Sequence, residues 1–251
     1  MKTYFILWKA EFKRFWTIGM IIFAMTMIGL GLIPSVVMMQ SGMVKKLSAL
    51  VASADQFVSF FTFLVFSAGI VGADIKNGWV RTLLIRSITR QQYITTKMAV
   101  VFTAQMTVYV LTVAIALLIV SFDPTVTIMF DLSAAMVAIV LKCAHVFLMI
   151  VLSAFISCGV QGAFNSLFVY GWMTLSQAMD FIVMRKYWDV HWAVVLKDYI
   201  FPTGFEDAQH ALAANMAFPL TELLWGFAAL FIFFAAALYA MNNVVVDTGS
   251  E

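Results

Sequence analysis

Long stretches without a charged residue constrain this chain more than any other feature of its sequence. Thirty uncharged residues separate Arg14 from Lys45, and residues 98–122 form another uncharged run of twenty-five. About 20 consecutive apolar residues are enough for a helix to cross the roughly 30 Å of bilayer hydrocarbon. Each run is therefore long enough for a transmembrane helix.

The composition agrees with this interpretation. Hydrophobic residues make up 63% of the 251 residues and charged residues only 11%, and the mean hydropathy is +0.98. Soluble domains are typically about 45–50% apolar and about 25% charged. The length allows about six membrane helices with short loops. We therefore predict an all-α polytopic membrane protein that forms a single transmembrane domain over residues 1–251.

The positions of charges, prolines and glycines predict six spans. These are residues 17–39, 56–73, 98–121, 132–156, 163–184 and 221–241. Between Leu132 and Met179 the only lysine, arginine or acid is Lys142, and this stretch is too long for one helix. We place the break in the glycine-containing turn at residues 157–162.

Residues 1–15 combine aromatic and basic side chains at helical spacing. The aromatic residues are Phe5, Trp8, Phe12 and Phe15, and the flanking lysines are Lys2, Lys9 and Lys13. This pattern predicts an interfacial helix on the membrane surface, whose lysines reach towards lipid headgroups. The alternative is a simple basic extension of the first span.

The distribution of cations predicts that both termini are cytoplasmic. With this topology nine lysines and arginines lie on the cytoplasmic side and five on the other, with Lys142 inside a span. Loops near membrane helices carry more lysine and arginine on the cytoplasmic side. The predicted protein is therefore multi-pass, with its N- and C-termini inside.

The most basic segment is residues 74–97, between the second and third spans. It carries Lys76, Arg81, Arg86, Arg90 and Lys97 against one acid, Asp74. One interpretation is a topological signal that also contacts headgroups. The other is a short cytoplasmic helix from Trp79 to Arg86, with Val80, Leu83 and Leu84 as an apolar ridge for a groove on a partner protein.

No catalytic or nucleotide-binding motif is present in the sequence. It contains no G-x-x-x-x-G-K-[ST] phosphate-binding loop, and its three histidines do not have metal-ligand spacing. We interpret Cys143 and Cys158 as small buried residues of one span, too far apart along a helix to form a disulfide. If the protein transports against a gradient, another subunit must supply the energy.

The basic segment resembles the corresponding loop of ABC-2-type transporter permeases. The matching residues, in the same order and spacing, are Asp74, Lys76, Asn77, Gly78, Leu83, Leu84, Thr89, Arg90, Tyr93 and Lys97. The chain departs from the usual pattern with Asp74 for Glu, Trp79 for Thr, Ser87 for Pro and Thr89 for Ser.

The resemblance implies the membrane subunit of an ATP-driven exporter, without an ATPase site or cofactor of its own. ATP and Mg²⁺ would bind to a cytoplasmic ABC ATPase dimer, and a second permease chain, identical or similar, would complete the transporter in a bacterial plasma membrane. Residues 74–97 would hold the coupling helix, and residues 199–219 would form re-entrant helices at the outer face. The implied coupling residues are Asp74, Lys76, Gly78, Arg81, Leu83, Leu84, Arg86 and Arg90. The expected partners are the cytoplasmic ABC ATPase dimer, the second permease chain and membrane lipids, and no nucleic acid is expected to bind.

Lys142 is a charge inside a predicted span, which is costly unless it is paired or hydrated. With His145, Asn165 and Gln177 it can line a polar translocation path. The alternatives are a structural pair with Asp180 and a lysine that reaches out to the membrane surface.

Two other functions compete with the exporter hypothesis. One is a channel or secondary transporter that needs no ATPase, and the other is a membrane scaffold that holds a cytoplasmic protein through the basic segment. The cargo implied by the resemblance is a peptide, an antibiotic or a lipid-like molecule.

Overall fold

The computed structural model describes most of the chain as α-helix. The described residues are 2–53, 58–67, 70–85, 88–123, 126–159, 164, 167–169, 171–172, 175, 190, 192, 204–214 and 216–243. Within them the helices are α1 (Lys2–Phe15), α2 (Ile18–Gln40), α3 (Leu47–Ser53), α4 (Val58–Phe66), α5 (Gly72–Lys76), α6 (Trp79–Ile85), α7 (Arg90–Ser121), α8 (Leu132–Ser157), α9 (Gly204–Ala214) and α10 (Leu220–Asn243).

Four of the described helices, α2, α7, α8 and α10, are long and apolar enough to cross a membrane. They correspond to the predicted spans 17–39, 98–121, 132–156 and 221–241. Among the residues that are described no β-strand occurs, although a parallel β-bridge joins Lys46 and Met129. The chain is therefore an all-α membrane protein, as its composition predicts.

The two other predicted spans are described only in part. From residues 56–73 the structure describes α4 and the first residues of α5, and from residues 163–184 it describes scattered positions. The number of six spans consequently stays a prediction.

Helix α7 begins earlier than the predicted third span. Thr89 caps it, because its side chain accepts a hydrogen bond from the Gln92 amide while the Gln92 side chain accepts one from the Thr89 amide. This reciprocal arrangement is a capping box. Residues 90–97, predicted as part of the basic loop, thus form the first two turns of the long helix.

The contacts between helix ends define two ends of the helix bundle. At the end that we call the charged end, α1 contacts α5, the start of α7 lies near the end of α10, and the end of α8 contacts α5. Parts of α1, α2, α4, α5, α6, α7, α8 and α10 pack around one hydrophobic core that reaches this end. The charged end thus gathers the short helices α1, α5 and α6 against the ends of three long ones.

The opposite end is held by polar contacts between loops. The Ser48 amide donates to Asp131 Oδ1 at 3.0 Å and the Ser48 hydroxyl donates to Asp131 Oδ2. The Gln40 amide group donates to Asp123 at 3.2 Å. These bonds join the end of α2 and the start of α3 to the loop between α7 and α8.

Helix α9 packs against α3, α8 and the start of α10. Gly204 lies so close to α10 that a Cβ at this position would be 1.9 Å from the Glu222 carbonyl oxygen. Phe205 is fully buried beside it, and the Gln209 side chain donates to the Ala138 carbonyl at 2.8 Å. A helix over Gly204–Ala214 therefore lies within the predicted re-entrant segment 199–219, whose re-entry stays a prediction.

Candidate functional site

Four charged side chains from three helices meet at the charged end. Lys97 Nζ lies 2.6 Å from Glu11 Oε2 and 2.7 Å from Asp74 Oδ2. Arg14 Nη2 lies 2.8 Å from Asp74 Oδ1, and Arg14 Nη1 lies 3.8 Å from Glu11 Oε2. We call Glu11, Arg14, Asp74 and Lys97 the charge cluster. Two acids and two bases make it neutral overall.

Two aromatic residues complete the bonding of the acids. Tyr93 donates its hydroxyl to Asp74 Oδ2 at 2.6 Å, and Trp79 donates its indole N–H to Glu11 Oε1 at 2.9 Å. The guanidinium of Arg14 also lies 4.6 Å from the Trp79 ring centroid, within the range of a cation–π contact. The charge cluster therefore connects α1, α5, α6 and α7.

Helical spacing brings the cluster members to the same place. Leu7, Glu11 and Arg14 are separated by four and three residues and so share one face of α1. Leu7 is buried in the main core, which turns that face inward. Tyr93 and Lys97 are four residues apart on α7 and face Asp74 together.

Burial makes the pairing of these charges necessary. The side chains of Glu11, Asp74 and Lys97 are only 3%, 7% and 15% exposed, whereas Arg14 is 43% exposed. Burial by itself raises the pKa of Asp74. The Lys97 charge and the hydrogen bonds from Lys97, Tyr93 and Arg14 outweigh that effect, so the pKa lies below its usual value. Asp74 is consequently ionised at neutral pH.

A hydroxyl at the end of α8 holds the start of α5. Ser157 Oγ accepts hydrogen bonds from the Val71 amide at 3.0 Å and from the Gly72 amide at 3.1 Å. All three residues are buried. Since the first amides of a helix have no intrahelical acceptor, Ser157 supplies one from another helix. Helix α5 is thus attached to α8 as well as to α1 and α7.

Helices α5 and α6 follow one another across a short turn, and we call residues 72–85 the α5–α6 segment. Gly78 turns the chain between the two helices with φ of +69°, a left-handed conformation that favours glycine. Ala73, Lys76, Asn77 and Thr82 are exposed. The segment therefore presents a small polar surface around the Gly78 turn.

The structure corrects the predicted apolar ridge of this segment. A helix covers Trp79–Ile85, as predicted, but Val80 and Leu83 are 0% and 5% exposed and pack into the main core. These two side chains are therefore not available to a groove on a partner protein. They attach α6 to its own chain, because burial of apolar surface is favourable there.

The remaining predicted coupling residues have different environments. Arg90 donates to the Asn242 carbonyl at 2.7 Å, so it binds the end of α10 rather than projecting freely. A cation there also complements the partial negative charge of a helix C-terminus. Arg81 and Leu84 belong to α6, although their side chains lie outside the described part, as does all of Arg86.

Of the predicted translocation residues, Lys142 and His145 lie within the described part of the chain. Lys142 is buried on α8 and its Nζ lies 6.0 Å from the ring centroid of Tyr109 on α7. Tyr109 in turn donates its hydroxyl to the Val51 carbonyl of α3 at 2.8 Å. His145 is partly buried one turn further along α8. Asn165, Gln177 and Asp180 lie outside the described residues.

Sequence reasoning placed Asp74 in the candidate site but missed its partners. Arg14 contributed only to the count of cytoplasmic cations, Lys97 and Tyr93 belonged to the family pattern without an assigned role, and Glu11 was given no role. One signal was available, because Glu11 is the only acid before Asp55 and lies within an aromatic and basic helix. An acid in such surroundings indicates a specific cationic partner.

Among the described residues, no group of three or more histidine, cysteine or acidic side chains is arranged to hold a metal ion. The charge cluster contains paired acids and bases, and its geometry suits mechanical connection between helices.

No protein-family model matches the chain, and comparison with curated proteins and with solved structures gives no significant match.

Proposed function

We propose that this protein is the transmembrane subunit of an ATP-driven ABC exporter and that the α5–α6 segment receives the movement of a separate ATPase. The observation that carries the proposal is the charge cluster, which attaches this exposed segment to α1 and α7. A force on the segment would act on both helices, because the ion pairs are short and mostly buried.

The bond from Ser157 extends the same argument to α8. Helices α7 and α8 are both candidate spans, so movement of the α5–α6 segment would reach two helices that cross the membrane. In the proposed transporter, two cytoplasmic ATPase subunits bind ATP and Mg²⁺, and this chain pairs with a second, identical or similar permease chain. The cargo proposed from the family resemblance is a peptide, an antibiotic or a lipid-like molecule.

The contact surface that we propose for the ATPase differs from the apolar ridge expected from sequence. It consists of the exposed residues around the Gly78 turn, including Lys76, Asn77 and Thr82. Val80 and Leu83 act from inside by holding α6 in place. This assignment gives the exposed and the buried residues separate roles that mutations can distinguish.

Site-specific crosslinking tests the proposal. A photo-crosslinking residue at Thr82 should capture a protein with Walker motifs in the native membrane, and one at Ser41 should not, because Ser41 is exposed at the opposite end. Co-purification of the captured ATPase should fall several-fold with Lys76→Glu. Absence of an ATPase at position 82, or equal capture at position 41, would contradict the proposal.

A channel or secondary transporter is the alternative that Lys142 favours, since buried charges in membrane helices often mark solute pathways. This alternative expects solute flux by the purified chain in liposomes without any ATPase. Flux that requires both ATP and the captured ATPase would decide for the exporter.

A further inference from the structure

Helix α1 separates its charges between two sides. Its one acid, Glu11, faces inward and pairs with Lys97, and Arg14 pairs with Asp74. Lys9 and Lys13, by contrast, are exposed and lie four residues apart, so they share a side of the helix. The outward surface of α1 therefore carries lysines and no acid, although the helix contains one.

A row of aromatic rings lies beside these lysines. Trp8 stacks between Phe5 and Phe12, with ring centroids 6.2 and 4.8 Å apart. Phe5 is 65% exposed and its neighbour Ile6 is 67% exposed. Such large apolar side chains at the surface of one short helix need an apolar environment to cover them.

The position of α1 along the bundle is consistent with a location at the membrane surface. Helix α7 has 32 residues and is therefore about 48 Å long, whereas the hydrocarbon is about 30 Å thick. The excess is best accommodated at its polar N-terminal end, where Arg90, Gln91 and Gln92 occur. Lys97, which α1 contacts, lies seven residues inside this end and thus near the headgroup level.

We propose that the outward surface of α1 binds anionic phospholipids of the leaflet at the charged end. In this arrangement Phe5, Trp8 and Phe12 enter the boundary between headgroups and acyl chains, and Lys9 and Lys13 bind the lipid phosphates. The inward pairing of Glu11 with Lys97 is what makes the surface selective, because it removes the acid that would repel an anionic lipid. This inference does not depend on the exporter proposal.

Anionic lipid fits this surface better than an acidic protein partner does. The lysines and the exposed aromatic rings are neighbours on one continuous helix, so a single occupant must offer negative charge and apolar chains together. A phospholipid has both in one molecule. An acidic protein segment would leave Phe5 and Ile6 to be covered by a second, apolar surface.

Lipid-selective fluorescence quenching tests the proposal on the full-length chain. The chain is reconstituted in equal amounts of phosphatidylglycerol and phosphatidylcholine, with one or the other brominated, and Trp8→Phe identifies the contribution of Trp8 to the signal. Quenching by brominated phosphatidylglycerol should exceed that by brominated phosphatidylcholine by at least about threefold at low salt and decline in 1 M salt.

Charge variants provide the controls. The double variant Lys9→Gln with Lys13→Gln should abolish the excess of quenching by brominated phosphatidylglycerol over quenching by brominated phosphatidylcholine. The double variant Lys9→Arg with Lys13→Arg should keep this excess. Lys45→Gln, which removes an exposed lysine at the opposite end, should leave it unchanged. Equal quenching of wild-type Trp8 by the two lipids, or an excess unchanged in 1 M salt, would overturn the proposal without reference to any variant.

Discussion

Arg14 of α1 and Asp74 of α5 lie sixty positions apart in sequence, and their side chains form an ion pair of 2.8 Å. Asp74 also accepts bonds from Lys97 and Tyr93, so one carboxylate joins three helices. Removal of a single partner from a buried pair leaves an uncompensated charge, which is more costly than loss of the whole pair. The stability of the charged end should therefore depend strongly on Asp74.

The variant Asp74→Asn should lower the free energy of unfolding by about 3–5 kcal/mol, because it removes one of the two acids that Arg14 and Lys97 share and leaves the buried charge cluster with an excess positive charge. The measurement is a denaturant titration of the purified chain in detergent, from which the free energy of unfolding is obtained. Asp123→Asn is the matched control, since Asp123 makes its bond with Gln40 at an exposed site, and it should change little. Similar effects of the two variants would contradict the structural role of the charge cluster.

The contribution of Asp74 should also depend on pH. Its folded pKa lies below the usual value of 3.8, so the folded protein holds its proton less tightly than the unfolded chain does. The stabilisation is therefore complete at neutral pH and is lost as the pH falls below about 4 and through the folded pKa. The free energies of unfolding of wild type and Asp74→Asn, measured from pH 7 to pH 3, should converge as the pH falls. A constant difference would contradict the lowered pKa.

Replacement of Ser157 by alanine should weaken the start of α5. The amides of Val71 and Gly72 would lose a buried acceptor, at a cost of about 1–3 kcal/mol. Hydrogen exchange of these amides should become faster by at least about tenfold, which corresponds to about 1.4 kcal/mol, in the lower part of that range. Ser121→Ala, at the exposed end of α7, is the control and should leave their exchange unchanged. Unaltered exchange in Ser157→Ala would show that another group holds α5.

The packing of α9 should tolerate no side chain at position 204. A Cβ would overlap the Glu222 carbonyl oxygen, so Gly204→Ala should destabilise the protein by about 1–3 kcal/mol. In α2, by contrast, a Cβ built on Gly29 meets no atom within 4 Å apart from the adjoining backbone of its own helix, and Gly29→Ala should be neutral or stabilising by up to about 1 kcal/mol. Thermal unfolding in detergent compares the two. Equal stability would mean that α9 does not pack closely on α10.

Labelling of introduced cysteines should separate the two ends of the bundle. In a background with Cys143 and Cys158 replaced by alanine, Thr82→Cys and Asn243→Cys lie at the charged end, and Ser41→Cys lies at the opposite end. A membrane-impermeant maleimide should label position 41 in intact cells and positions 82 and 243 only after permeabilisation. Labelling of positions 82 and 243 from different sides would contradict the fold itself.

The sequence predicted the long helices well, because a run of apolar residues has a direct meaning in a membrane. Gly78 and the residues after it also indicated α6 correctly. The orientation of α6 could not be predicted, since Val80 and Leu83 suit an external groove and an internal core equally well. Which of the two these side chains contact depends on whether the other helices of the chain offer an uncovered apolar surface.

The charge cluster was not predictable for a related reason. The spacing of Glu11 and Arg14 places them on one face of α1, but periodicity does not identify the residues that this face meets. The earlier start of α7 could have been predicted, because Thr89 and Gln92 have the spacing of a capping box. Local signals of this kind are readable in one sequence, whereas ion pairs between distant segments are not.

Asp131 stands at the position that begins α8, yet its carboxylate binds Ser48 and makes no side-chain cap for its own helix. The first amides of α8 are then best placed where water can reach them, because an unsatisfied amide in hydrocarbon costs several kcal/mol. This sets the start of α8 at the water boundary, and Lys142, ten residues beyond Leu132, lies about 15 Å deeper. A lysine side chain is costly in hydrocarbon at that depth. Lys142 is instead buried among the helices, with its Nζ 6.0 Å from the Tyr109 ring centroid, so the protein shields it from the acyl chains.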